Sequence, residues 1–103
     1  MEFKLRISNG AERDLDEVLA YISAELSAPG AAADFAREVE ECYMRLTAHP
    51  LMFSKCHEPG LATRGFRRVP VKNYVIVYMV DEVEKIVHIL RIFYGARDYA
   101  ELI

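Results

Sequence analysis

The sequence predicts an α+β domain: a helical hairpin packed on a small antiparallel sheet, in the order β-α-α-β-β-β. Three observations carry that prediction. Two stretches in the N-terminal half repeat apolar residues at helical spacing. The C-terminal half holds three β-rich segments with short breaks between them, the pattern of an antiparallel meander. The middle segment, Tyr74 to Val80, is apolar on both faces, as expected of a strand inside a sheet covered on both sides. A chain of 103 residues is one domain, 1–103.

The first element is a half-buried strand over 2–7, where Phe3, Leu5 and Ile7 alternate with Glu2, Lys4 and Arg6. Ser8-Asn9-Gly10 ends it, and Ser8 or Asn9 can cap the helix that follows. That helix runs over 11–26, with Ala11, Leu15, Val18, Leu19, Ile22 and Leu26 on one side and Glu12, Asp14, Asp16 and Glu17 on the other. Its acidic residues lie near the N-terminus, where the helix dipole favours them. Ser27-Ala28-Pro29-Gly30 breaks it, and Pro29 suits the first turn of a second helix over 30–47. Ala32, Phe35, Val39, Tyr43 and Leu46 form its apolar stripe, and His49-Pro50 closes it. Two helices with one apolar stripe each need a sheet to lie on.

Residues 51–63 read as a loop with a Pro59-Gly60 turn, long enough to be mobile or functional. Strands follow over 66–71, 74–81 and 86–94, joined by a tight Lys72-Asn73 turn and a charged hairpin at 81–85. After Gly95, the tail 98–103 has the length of one helical turn.

Charge is distributed unevenly. Residues 1–49 hold five Lys/Arg against ten Asp/Glu, and residues 50–103 hold eight against six. Arg64, Arg67, Arg68 and Lys72 fall between Gly60 and Val80 with no acidic residue among them. Such a basic surface suits a negative partner, although an ordinary mixed surface would give the same count. No apolar run approaches the ~20 residues of a membrane span. The N-terminus alternates and carries charge, unlike a signal peptide. Two cysteines, Cys42 and Cys56, give no disulfide framework, so a reduced, cytoplasmic protein is expected.

Few residues suggest chemistry. Cys42, His49, Cys56 and His57 match no zinc spacing, and Cys42 reads as a small buried residue, so neither metal nor cofactor is expected. His88 lies in phase with Ile86 and Leu90 as a satisfied sheet histidine, and no nucleophile elbow or phosphate loop occurs. What remains is a cluster of Arg64, Arg67, Arg68, Lys72, Arg91 and Arg97 with Tyr74, Tyr78 and Tyr94 nearby. Guanidinium groups bind phosphate bidentately and rings stack on bases, so the cluster suits a nucleic-acid backbone or an acidic peptide. Arg91 sits amid apolar residues in Ile89-Leu90-Arg91-Ile92-Phe93. It either pairs with a helix carboxylate and holds the fold, or acts directly.

At these residues the sequence resembles the RelE/ParE superfamily of bacterial toxins from type II toxin–antitoxin modules. The resemblance runs through Ile7-Ser8, Ala11-Glu12-Arg13-Asp14-Leu15, Tyr21-Ile22 and Leu46 to Pro50. It is strongest from Phe66 to Tyr78 and from Ile89 to Asp98. It implies a cognate antitoxin as partner, bound by strand addition or helix docking, and a homodimer or a hetero-oligomer with that antitoxin. It also implies one of two targets, because ParE-like members poison DNA gyrase and RelE-like members cut mRNA on the ribosome.

Departures from the pattern bear on that choice. RNA-cleaving members carry an arginine after the tyrosine that opens the central strand, where this chain has Val75. Their C-terminal catalytic Tyr or His has only Tyr99 as a counterpart here. Many members have His at the position of Tyr94 and Arg at that of Ala96. Arg97 matches the tail arginine that contacts phosphate, and Arg67 or Arg68 matches the basic second strand. The resemblance therefore implies a ParE-like, non-hydrolytic toxin that binds its target through Arg64, Arg67, Arg68, Lys72 and Arg97. The alternative is a metal-independent endoribonuclease using Arg97, Arg67, Arg68 and Tyr94. A homologue that keeps only antitoxin binding is the third reading.

Overall fold

A computed structural model of the chain describes residues 2–56 and 59–95. The elements are β1 (Lys4–Ile7), α1 (Asn9–Ala20), a π-helical turn (Tyr21–Glu25), α2 (Pro29–Ala48), α3 (Pro59–Thr63), β2 (Arg67–Val71), β3 (Tyr74–Asp81) and β4 (Ile86–Tyr94). Among the described residues no helix is long and apolar enough to cross a membrane. The tail expected to make a helical turn lies outside the described residues.

The two long helices start where local chemistry places them. Ser8 is the N-cap of α1, and its Oγ accepts a hydrogen bond from the Ala11 N–H at 3.0 Å. The same hydroxyl donates to the Leu90 carbonyl at 2.6 Å, tying the helix start to β4. α2 opens on Pro29, whose missing N–H costs nothing in a first turn. The stripe expected over 11–26 spans α1 and the π-helical turn together. One assignment in that stripe is corrected: Asp14 does not face solvent but is only 8% exposed. It stands three residues after Ala11 and four before Val18, so helical geometry puts it on the apolar side.

The sheet order is β1-β4-β3-β2. β2, β3 and β4 form the expected antiparallel meander with β3 inside. β1 joins β4 in parallel, pairing Lys4 with Ile86 through Ile7 with Ile89, so the sheet is mixed rather than wholly antiparallel. The helices carry the chain from β1 across to β2 at the opposite edge, and the meander then brings β4 back beside β1. The Asp81 carboxylate accepts from the Val83 and Glu84 N–H groups at 3.0 Å each, which closes the charged hairpin.

Both faces of β3 are covered. On the inner face Val69, Ile76, Tyr78, Val87, Ile89 and Ile92 pack against Phe35, Val39, Cys42, Tyr43 and Leu46 of α2. On the outer face Val75, Val77 and Phe93 pack against Cys56 and Phe66. The expected loop over 51–63 thus has structure: it holds α3, and it runs beside β2, with an isolated Lys55–Arg67 bridge. The Cys56 N–H donates to the Phe66 carbonyl at 2.9 Å, and the Arg68 N–H to the Ser54 carbonyl at 3.1 Å. A five-residue helix is too short to leave a periodic signature in sequence.

Register slips once. Val77 pairs with Arg91 but Tyr78 with Ile89, leaving Leu90 as the extra residue of a β-bulge. The slip resets the alternation of β4. Without it Arg91 would follow Val87 and Ile89 onto the helix-covered face.

Two buried tyrosines give an opposed pair of predictions. Burial pushes the phenols of Tyr43 and Tyr78 up to about 12. A phenol whose folded pKa exceeds its unfolded value contributes stability that is complete below about pH 10 and is lost towards pH 12. The Tyr78 hydroxyl donates to the Pro50 carbonyl at 3.1 Å, whereas the Tyr43 hydroxyl has no partner among the described residues. Tyr43→Phe should therefore leave stability at pH 7 unchanged or slightly raised and reduce the alkaline loss by up to ~2–3 kcal/mol. Tyr78→Phe should cost ~1 kcal/mol at pH 7. Urea melts of both variants at pH 7 and pH 11 check this.

Candidate target-binding site

Strand alternation sorts the basic residues. Cross-strand partners share a face, so Arg68, which pairs with the outer-facing Val77, lies on the outer face. Arg67 pairs with the inner-facing Tyr78 and lies on the other side. Its guanidinium donates to the Phe53 carbonyl at 2.7 Å. Of the two adjacent arginines only Arg68 reaches the outer surface near the strand ends. Arg64 also lies on the outer side, its guanidinium stacked 4.6 Å above the Phe66 ring.

A shallow groove of ≈ 300 Å³ runs across the β2–β3 turn, and Arg68, Lys72, Asn73, Tyr94 and Gly95 line it. Of the expected site residues it brings together Arg68, Lys72 and Tyr94, while Arg64 and Arg67 do not line it. Lys72, held at φ 53° by the turn, projects beside it and lies 3.3 Å from a Glu38 carboxylate oxygen. Side chains half-exposed on both partners make that ion pair weak. Tyr94 is 48% exposed and meets Tyr74 edge-to-face, with centroids 5.6 Å apart. Gly95 lies tight against β3: a Cβ there would come within 3.1 Å of the Asn73 carbonyl oxygen. Arg97, Tyr99 and His57 lie outside the described residues. Val75 is 2% exposed and packs under Cys56 and Phe66, so it contributes shape and no charge.

Arg91 stands apart from this groove. It makes a two-point contact with Asp14, Nε to Oδ2 at 2.7 Å and Nη2 to Oδ1 at 3.0 Å. The backbone N–H of Ile92 donates to the same Oδ2 at 2.8 Å. The hydrogen bond to Asp14 holds the Arg91 guanidinium above its ordinary pKa, against the opposing effect of burial. The guanidinium also lies 4.7 Å over the Phe93 ring. A Cβ on Gly10 would stand 3.0 Å from Arg91 Cδ, so the glycine makes room for the arginine stem.

Sequence reasoning missed Asp14 and Tyr21. The first carried a readable signal, a carboxylate placed in the apolar phase of a helix. The second, exposed by 50% on the π-helical turn, carried none, because a π turn has no distinct periodicity over five residues.

Comparison with known proteins fits this geometry. The profile of a family described as the ParE toxin of the type II toxin–antitoxin system, parDE, matches residues 5–99. No curated protein sequence matches the chain. Among solved structures, a chain of the chromosomal ParDE toxin–antitoxin system of P. aeruginosa superposes with a TM-score of 0.71 at 20% identity, covering 90% of this chain and 96% of that one. A chain of the RelBE2 toxin–antitoxin complex of Mycobacterium tuberculosis gives 0.64 at 21% identity, over 91% and 99%. A chain of the archaeal RelE–RelB complex of Pyrococcus horikoshii OT3 gives 0.63 at 20%, over 94% and 99%. At such identities the likeness carries the fold.

The Asp14–Arg91 pair yields a graded prediction. Asp14→Ala strands both a guanidinium and the Ile92 N–H and should cost ~3 kcal/mol. Arg91→Ala leaves the Asp14 carboxylate, only 10% exposed, with a single backbone donor and should cost at least as much. The double variant should lose less than the sum by ~1–2 kcal/mol, measured as a double-mutant cycle in urea.

Proposed function

Because this chain belongs to the ParE toxin family of type II toxin–antitoxin systems, we propose that it is a growth-inhibiting toxin that acts on DNA gyrase by binding, without hydrolysis, and that a cognate antitoxin neutralises it. The observation that carries the choice of target is the make-up of the basic groove. RNA cleavage through the 2′-hydroxyl needs a group to take that proton and cations to hold the phosphorane. Among the described residues the groove offers Arg68, Lys72 and Tyr94 but no carboxylate or imidazole on its lining. The position after Tyr74, an arginine in RNA-cleaving members, is the buried Val75. Arg64, Arg68, Lys72 and Arg97 are read as the contacts to the target, and Arg91 as a residue of the scaffold.

The antitoxin is proposed from two supports. The three structural relatives above come from toxin–antitoxin assemblies. One edge of the sheet also stays open to an added strand: β2 is flanked by residues 54–56 and carries Pro70, which cannot donate, while β1 at the opposite edge is not so blocked. The protein is expected to act in the cytoplasm, where gyrase and the antitoxin are met.

Induction of the wild-type chain in cells should produce gyrase-trapped DNA breaks and leave ribosome-bound mRNA intact. The reverse pattern would replace the gyrase reading with the endoribonuclease one, and neither effect would leave only antitoxin binding.

Two substitutions test the site. Arg97→Ala should abolish or greatly reduce toxicity at a stability cost of ~0.5 kcal/mol. Arg68→Ala should reduce toxicity, whereas Arg67→Ala should keep it and cost ~1 kcal/mol through the lost bond to Phe53. Growth assays with thermal melts separate the two behaviours.

A further inference from the structure

A second and larger groove, ≈ 430 Å³, lies at the end of β4 on the α1 side, and nothing above uses it. One wall is a helical stripe: Asp14, Glu17 and Tyr21 follow at spacings of three and four residues. The other wall is Tyr74 and Tyr94 from the strands. Tyr21 and Tyr94 are each about half exposed, at 50% and 48%. Tyr21, Tyr74 and Tyr94 all line the groove, and the Tyr74 phenol is pushed up by burial first and then by its two tyrosine neighbours.

The floor is a strand edge that no strand among the described residues covers. The Gly95 N–H donates to the Asn73 carbonyl at 2.7 Å. Antiparallel alternation then turns the Tyr94 N–H and carbonyl, and the Ile92 carbonyl, away from β3. β1 ends at Ile7, opposite Ile89, so no strand of the sheet meets them. Asp14 takes only the Ile92 N–H.

Charge selects the occupant. Asp14 is engaged by Arg91, whereas Glu17 makes no ion pair within 4 Å among the described residues and acts on the same guanidinium only at longer range. Aromatic faces beside an unpaired carboxylate attract a cation, and a planar guanidinium can stack on the rings while it forks to the carboxylate.

We propose that this groove takes an arginine side chain of an extended partner segment, seated among Tyr21, Tyr74 and Tyr94 against Glu17, with the segment's backbone paired to β4 at Ile92–Tyr94. The identity of the partner as the antitoxin rests on the reading above; the chemistry of the groove does not.

The test titrates the full chain with a blocked pentapeptide, acetyl-Val-Thr-Arg-Val-Thr-amide, and with its citrulline counterpart, which keeps the shape and loses the charge. Tyrosine ring resonances report binding. The arginine peptide should shift Tyr21, Tyr74 and Tyr94 saturably, and the citrulline peptide should bind at least tenfold more weakly. Glu17→Gln should weaken the arginine peptide about tenfold and leave the citrulline peptide unchanged. Equal binding of the two peptides, or shifts confined to other tyrosines, would overturn the proposal. So would an Arg97→Gln variant that binds the arginine peptide tenfold more tightly, since the chain's own arginine would then be the occupant. A second arm measures the affinity of the co-expressed neighbouring gene product for wild type and for Glu17→Gln. An unchanged affinity would overturn the groove's assignment while keeping the antitoxin. Failure of any neighbour to bind would remove the antitoxin reading, and the peptide comparison alone would then decide the groove.

Discussion

The fold turns on how the edge of β4 beyond β1 is closed as far as the Ile92 N–H. β1 covers that strand only from Ile86 to Ile89, yet β4 runs on to Tyr94. An interior strand cannot leave its backbone donors bare at low cost. The chain solves this with the first turns of α1. Ser8 binds the Ile89 carbonyl through its N–H and the Leu90 carbonyl through its hydroxyl, and Asp14 takes the Ile92 N–H. A carboxylate this buried would be costly alone, so Arg91 reaches it with two further hydrogen bonds. One helical carboxylate thereby fixes a helix, a strand end and a guanidinium at once.

That closure has geometric consequences for everything near the strand ends. The bulge at Leu90 lets Arg91 leave the inner face while Ile92 returns to the core. It also sets the phase in which Tyr94 projects and in which Tyr74, its cross-strand partner, stands against Phe35 with ring centroids 5.2 Å apart. Both grooves are built on those two tyrosines. They therefore inherit their geometry from a rigid pairing rather than from a loop, which is what a precise contact surface requires.

Much of this was legible in the chain. Apolar periodicity placed both helices, and alternation placed the strands, because each element has one buried face whose period survives in sequence. The two-sided burial of Tyr74 to Val80 was readable for the same reason. The parallel placement of β1 was not, since its alternation is the same in either direction. The Cys56 segment was not readable as a cover for the outer face, because it contributes few apolar residues and no repeat. For the candidate site, composition pointed to Arg64, Arg67, Arg68, Lys72 and Arg97 alike, and adjacency in sequence hid the fact that Arg67 and Arg68 belong to opposite faces. The need of Arg91 for a carboxylate was readable. Its partner was not, because Asp14 looked like one of several acids in a first turn until its phase was compared with Ala11 and Val18.

The outer face explains why charge collects at the strand ends. An RNA strand cut across the middle of a sheet needs an open face with cations pointing out of the central strand. Here Val75 and Val77 occupy those positions, and Cys56 and Phe66 close over them. An arginine at Val75 would have to be buried beneath that cover, unpaired, or would have to lift it away, and either course is unfavourable by several kcal/mol. The valine and the cover are thus one feature. With the centre of the face sealed, Arg68 and Lys72 stand at its rim, beside Tyr94 and Gly95.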